Sequence, residues 1–101
     1  MSEMPSRSLL LIVESLLFAS ERPLNAKEIH SWLPEETLSR IRGSLKTLQD
    51  EYDSMERSFI LKEVAQGYQF RTKPGFASYI QRMFRRTPDR LSRAALETLA
   101  I

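Results

Sequence analysis

The feature that most limits how this chain can fold is an apolar stripe near its middle. Its members are spaced three and four residues apart in alternation, and they are Leu38, Ile41, Leu45, Leu48, Tyr52 and Met55. This spacing places the side chains on one narrow face of an α-helix, which other elements must cover. We predict that the helix begins at Pro34, a residue that suits the first helical position, and runs to about Asp53. Glu35 and Glu36 would then complement the helix dipole.

Two shorter helical patterns precede this stripe. The first runs from about Ser6 to Ser20, with a core stripe of Leu9, Ile12, Val13 and Leu16. The second begins after Asn25, because Asn25 can cap a helix and an acid, Glu28, follows three residues later. It ends at Pro34, and its inward-facing residues are predicted to be Ile29, Trp32 and Leu33.

The segments after the central helix predict a β-hairpin followed by more helix. Residues 58–65 and 68–72 alternate as strands do, with Gln66 and Gly67 as the turn and Tyr68, Phe70 and Thr72 on one face. Pro74 and Gly75 open a fourth helix that carries an apolar stripe, and a fifth helical pattern begins near Ser92.

This order of elements predicts the fold class. Three helices, a hairpin and a further helix are typical of a winged helix-turn-helix, a mainly α fold with a small β-hairpin wing (α+β). We expect residues 1–86 to form an amino-terminal winged-helix domain. Residues 87–101 would be a linker and the first helix of a truncated second winged-helix domain, because the apolar stripe of the last helix is cut at Ile101.

The first helix also carries apolar side chains on the face opposite its core stripe. Leu11 and Phe18 lie there, seven residues apart, beside Glu14 and Ser15. They either pack against another part of the same domain or form an interface with a partner. The candidate dimer interface consists of Leu10, Leu11, Leu17 and Phe18.

Charge is distributed unevenly along the chain. Residues 1–56 hold six basic and ten acidic side chains, and residues 57–101 hold nine basic and three acidic ones. The weak candidates for phosphate contacts are Lys62, Arg71 and Lys73 in the predicted wing, although exposed cations are often only solubilising. Glu35 and Glu36 at the start of the third helix argue against insertion of that helix into a DNA groove.

Several chemistries are excluded or unsupported by composition. The chain has no cysteine and one histidine, His30, so it can form neither a disulfide nor a thiolate or multi-histidine zinc site. We find no phosphate-binding glycine loop or nucleophile–base pair, and we predict no enzyme activity and no cofactor. The apolar run at residues 9–13 ends at Glu14, too short for a signal peptide or a membrane span, so a cytoplasmic protein without membrane contact is predicted.

Three segments of the chain resemble a known family. They are Ile-Val-Glu-Ser-Leu-Leu-Phe-Ala-Ser at 12–20, Gly-Tyr-Gln-Phe-Arg-Thr-Lys-Pro at 67–74 and Leu-Ser-Arg-Ala-Ala-Leu-Glu-Thr-Leu-Ala-Ile at 91–101. They resemble the ScpB family of segregation and condensation proteins over nearly the whole chain. The sequence departs from the family at Gln66, where a second glycine is common.

The resemblance implies a non-enzymatic subunit of the bacterial SMC condensin-like complex. Members of the family form homodimers and bind the kleisin ScpA and, through it, SMC, during chromosome condensation and partition in cell division. The resemblance therefore implies a nucleoid-associated protein whose contact with DNA is indirect or weak. In this family the amino-terminal winged helix is associated with dimerisation and the carboxyl-terminal one with much of the kleisin contact. The alternative is a DNA-binding winged-helix transcriptional regulator.

Overall fold

A computed structural model describes residues 5–86 of the chain. The helices are α1 (Arg7–Ala19), α2 (Ala26–Trp32), α3 (Leu38–Ser54) and α4 (Ala77–Arg86). Between α3 and α4 lie strands β1 (Phe59–Val64) and β2 (Gly67–Thr72), and a 3₁₀ turn (Pro74–Phe76) leads into α4. The predicted order of three helices, hairpin and further helix is confirmed, whereas the predicted fifth helix and the rest of residues 87–101 lie outside the described residues.

Side-chain caps set the beginnings of the first three helices. The Ser6 hydroxyl accepts a hydrogen bond from the Leu9 backbone N–H at 3.1 Å. Asn25 and Glu28 form the predicted reciprocal capping box, with bonds of 2.8 and 3.1 Å. Each such cap satisfies backbone donors that have no partner inside the helix.

The predicted start of α3 at Pro34 is wrong by four residues. Thr37 is the N-cap, and its hydroxyl accepts a hydrogen bond from the Arg40 N–H at 3.1 Å. Pro34 instead lies in the turn between α2 and α3, where the Glu36 N–H donates to the Leu33 carbonyl at 3.0 Å. Glu35 and Glu36 therefore precede α3, and no acidic residue occupies its first turn.

The core lies where α1, α2 and α3 meet the hairpin. Its buried side chains are Leu9, Leu10, Val13, Leu17, Leu24, Ile29, Ile41, Leu45, Leu48 and Leu61. Two predictions of inward residues are wrong, because Ile12 is 44% exposed and Trp32 is 50% exposed. The core face of α1 is rotated towards Leu10 and Leu17, and on α2 Ile29 enters the core whereas Trp32, the last residue of the helix, does not.

The hairpin turn also differs from its prediction. Val64 pairs with Gly67, so the two loop residues are Ala65 and Gln66, and Gly67 begins β2. Ala65 adopts a φ of 50°, in the left-handed region that glycine occupies more easily. The right-handed twist of paired strands favours turns of this kind, and here an alanine supplies the conformation.

The connection between α1 and α2 contacts β2 through one isolated β-bridge, formed by Leu24 and Tyr68. Leu24 and Tyr68 exchange both backbone hydrogen bonds, at 3.0 and 2.7 Å. This bridge connects the hairpin to the segment between α1 and α2. It also brings the Leu24 backbone directly against Gly67.

Candidate interaction site on the first helix

The outer face of α1 exposes large apolar side chains. Phe18 is 77% exposed and Leu11 is 52% exposed, and both lie on the face predicted from the sequence. Leu10 and Leu17, the other two members of the candidate dimer interface, are buried in the core of the protomer. A surface contact can therefore use Leu11 and Phe18, with the partly exposed Ile12 beside them.

Beside Phe18, the surface opens into a pocket of about 250 Å³ between α1, α3 and the hairpin. Its lining consists of Glu14, Ser15, Phe18, Tyr52, Phe59 and Phe70. The volume lies below the ~300–1,000 Å³ of pockets that enclose drug-sized ligands. The pocket therefore suits a side chain that projects from another protein surface better than it suits a small molecule. We call it the α1 groove.

Three aromatic rings form one side of the α1 groove. The centroid of Tyr52 lies 5.0 Å from that of Phe70 and 5.4 Å from that of Phe59, and the two phenylalanine rings are 5.7 Å apart. These distances are typical of edge-to-face and tilted aromatic contacts. The rings are a rigid support for an apolar partner, since each is held by the other two.

Sequence reasoning missed this aromatic cluster. The alternation in β2 predicts that Phe70 shares a face with Tyr68, and the observed pairing of the two strands confirms this prediction. The contact of Phe59 and Phe70 with Tyr52 depends on how the hairpin packs on α3, and no local pattern encodes that packing.

Two polar contacts join α1 to α3, and one of them lies in the α1 groove. Tyr52 donates a hydrogen bond from its hydroxyl to Glu14 Oε2 at 2.6 Å. Burial, reinforced by this bond to a carboxylate, raises the pKa of Tyr52 to about 12. Nearer the start of α1, Arg7 forms an ion pair with Glu51 at 2.7 Å. Both contacts fix the orientation of α1 and therefore the position of Leu11 and Phe18.

The three candidate phosphate contacts do not form one compact group. Lys62 is exposed and shares a face of the hairpin with Arg71, whose Nε donates to Gln69 Oε1 at 2.9 Å. Lys73 follows the end of β2, where its backbone N–H donates to the Ser58 carbonyl at 2.8 Å. The face that holds Lys62 and Arg71 is opposite the one that carries Phe59 and Phe70.

His30 has a local contact that accounts for its position. Its Nε2 lies 2.9 Å from the carbonyl oxygen of Glu36, which closes the turn between α2 and α3. In the described part of the chain, no group of three or more histidine, cysteine or acidic residues could hold a metal ion. Within residues 5–86, no helix has the length and apolar character needed to cross a membrane.

The fold is thus a winged helix-turn-helix domain. Among the residues that the structure describes, the most exposed large apolar side chain is Phe18, which lies outside the helix-turn-helix pair of α2 and α3. Comparison with known sequences agrees with the resemblance in the sequence. The model of a family described as segregation and condensation complex subunit ScpB matches residues 11–101. This chain therefore belongs to the ScpB family.

Relatives of this family are similar over most of the chain. A segregation and condensation protein B homolog from Coxiella burnetii is 39% identical over 94 residues, which are 90% of this chain and 44% of the relative. Segregation and condensation protein B from Syntrophotalea carbinolica is 41% identical over 90 residues, which are 89% of this chain and 45% of the relative. The chain spans less than half the length of these two relatives.

Solved structures share the fold. ScpB from Mycobacterium tuberculosis superposes with a TM-score of 0.72 at 28% identity, over 94% of this chain and 60% of that one. A dimer of the ScpB N-terminal domain complexed with ScpA peptide superposes with a TM-score of 0.68 at 27% identity, over 76% of this chain and 95% of that one. The winged-helix fold predicted from the sequence is confirmed.

Proposed function

We propose that this chain is a subunit of a bacterial SMC condensin-like complex that dimerises through α1 and binds the kleisin ScpA. It would act without catalysis in chromosome condensation and partition, in association with the nucleoid. Membership in the ScpB family supports the complex, and the family description is that of a complex subunit. The relative whose N-terminal domain is a dimer complexed with ScpA peptide supports both partners.

The single observation that carries the dimer proposal is the exposure of Phe18, together with Leu11, on the outer face of α1. Removing a large apolar side chain from water is worth about 1.5–3 kcal/mol. Two such side chains on one face, beside a groove lined by aromatic rings, therefore favour association with a second copy. An interface with two-fold symmetry would use each contact twice.

The test replaces both side chains with charged ones. By multi-angle light scattering, we expect a dimer for the wild-type chain and a monomer for Leu11→Asp combined with Phe18→Asp. Both positions are exposed, so the helical circular dichroism spectrum is expected to stay the same. Trp32→Asp is the matched control, because Trp32 is 50% exposed on a different helix. A dimer that survives the double substitution would contradict the assignment of this surface.

Kleisin binding is tested separately by titration calorimetry with a peptide from ScpA of the same bacterium. We expect the wild-type dimer to bind with a fixed stoichiometry. Failure of the dimer to bind would leave the association of two copies intact and remove the kleisin contact from this chain.

One observation favours DNA binding as a second candidate function. Because α3 begins at Leu38, its first turn has no acidic residue, and the exposed Arg42 lies one turn into the helix. Arg42 shares a shallow pocket with Lys27, although Glu63 lines that pocket too. This mixed charge makes a protein interface the better-supported function.

We propose the domain organisation predicted from the sequence. Residues 1–86 form an amino-terminal winged-helix domain, and residues 87–101 form a linker and the first helix of a second one. The family match covers residues 11–101 and therefore spans both proposed segments.

A further inference from the structure

The helix α4 is strongly amphipathic. Its apolar residues Tyr79, Ile80, Met83 and Phe84 fall on one side of the helix, and Ser78, Gln81, Arg82 and Arg85 fall on the other. The helix contacts mainly the 3₁₀ turn that precedes it, and Tyr79 remains 62% exposed. A ten-residue helix of this kind gains little stability by itself, so its apolar face is expected to pack on another surface.

The charge of α4 has one sign. Residues 73–86 contain a lysine and three arginines and no acidic residue. Arg82 and Arg85 are both exposed, and the Arg82 guanidinium stacks on the Tyr79 ring, 5.0 Å from its centroid. A surface that covers α4 should therefore combine apolar contacts with negative charge.

The α1 groove has this combination. Its lining includes the aromatic rings of Tyr52, Phe59 and Phe70 together with the carboxylate of Glu14. Next to it, the last turns of α3 carry Asp50, Glu51 and Asp53 and no basic residue in the final turn, and one acid and one base, Glu56 and Arg57, follow the helix. Arg7 pairs with Glu51 and Lys46 pairs with Asp50, while Asp53 and Glu56 are exposed. The partial negative charge at the carboxyl end of α3 adds to these carboxylates.

We propose that, in a dimer, α4 of one copy lies in the α1 groove of the other copy. This inference rests on the proposed dimer and identifies what covers Phe18 in it. Tyr79 or Met83 would enter the pocket, and Arg82 and Arg85 would lie against the acidic end of α3. The exchange is reciprocal, as two-fold symmetry requires, and an amphipathic helix in an apolar groove is a common mode of recognition.

Disulfide trapping tests the exchange, since the natural chain contains no cysteine. Ser15→Cys is introduced in one chain and Tyr79→Cys in a second chain, and the mixed proteins are oxidised. Ser15 is exposed and lines the α1 groove, whereas Tyr79 lies on the apolar face of α4. Because each chain then has a single thiol, a disulfide-linked peptide pair that joins positions 15 and 79 in mass spectrometry can come only from contact between copies.

The neighbouring exposed residue Ser78 provides the matched control, Ser78→Cys, because it lies on the polar face of α4. We expect the disulfide between positions 15 and 79 to form at least about fivefold faster than the one between positions 15 and 78.

Two outcomes in a protein that light scattering shows to be a dimer would overturn the inference and leave the dimer standing. The two disulfides would form at equal rates, or no disulfide between positions 15 and 79 would be detected. A monomeric protein would contradict both proposals. A disulfide that forms only when both substitutions are in one chain would also overturn the exchange, because α4 would then cover its own groove.

A charge reversal provides a second, independent readout. Arg82→Glu with Arg85→Glu should raise the Kd of the dimer about tenfold, because like charges would then meet at the end of α3. Lys27→Glu with Arg42→Glu is the control, since both cations are exposed on α2 and α3, away from the α1 groove. An unchanged Kd for the Arg82 and Arg85 variant would contradict the proposed placement of α4.

Discussion

At the scale of single residues, Gly67 faces the Leu24 backbone at a point that leaves little room for a side chain. A Cβ atom at this position would lie 3.0 Å from the backbone N, C and O atoms of Leu24. Real Cβ atoms rarely come this close to backbone, and here the neighbour is held by two hydrogen bonds to Tyr68. The glycine is therefore required by the close approach of the Leu24 backbone, not by the turn.

We expect Gly67→Ala to lower the free energy of unfolding by about 1–3 kcal/mol, because the Leu24 backbone must shift away from β2. Urea denaturation followed by circular dichroism measures the change. Gly75→Ala is the matched control, since an added Cβ there has no neighbour within 4 Å. Its effect should stay within about 0.5 kcal/mol. Equal decreases in the free energy of unfolding of the two variants would show that the close contact with Leu24 does not require a glycine at position 67.

At the scale of elements, the contact between Glu14 and Tyr52 couples α1 to α3. Burial and the bond to the Glu14 carboxylate both favour the neutral phenol, so Tyr52 keeps its proton to a higher pH in the folded chain than in the unfolded chain. Between pH 10 and about 12 the unfolded state has therefore lost this proton while the folded state still holds it. The stabilisation is complete below pH 10 and is lost as the pH rises through the folded pKa.

We expect the stability of the wild-type chain to fall more steeply between pH 10 and about 12 than that of Tyr52→Phe. The substitution should also cost about 1 kcal/mol at neutral pH, through the lost hydrogen bond to Glu14. Chemical denaturation at a series of pH values tests both statements. Parallel stability curves for the two proteins would mean that Tyr52 does not titrate differently in the folded and unfolded states.

At the scale of the whole molecule, the small net charge of +2 conceals an acidic part and a basic part. The structure places acidic groups at the end of α3, next to the α1 groove, and basic groups on the hairpin and α4. The wing cations Lys62 and Arg71 occupy the face of the hairpin opposite Phe59 and Phe70. This separation of charge fits an association between copies better than a continuous surface for DNA.

We therefore expect duplex DNA to bind weakly and without sequence preference. With about three phosphate contacts, the logarithm of the binding constant should fall with the logarithm of the salt concentration with a slope of roughly −3. Fluorescence anisotropy at several salt concentrations measures this slope. Sequence-specific binding that persists at physiological salt would favour the transcriptional regulator instead.

Local sequence patterns were enough to predict the order of the elements, the capping box at Asn25, the hairpin and the second apolar face of α1. These features depend on residues a few positions apart, whose spacing matches the helix or strand period. Three-dimensional packing determines which apolar residues of α1 are buried, where α3 begins and how Tyr52, Phe59 and Phe70 meet. Leu10 rather than Ile12 enters the core because the hairpin and α3 cover that side of α1, and no local pattern specifies which side neighbouring elements will cover.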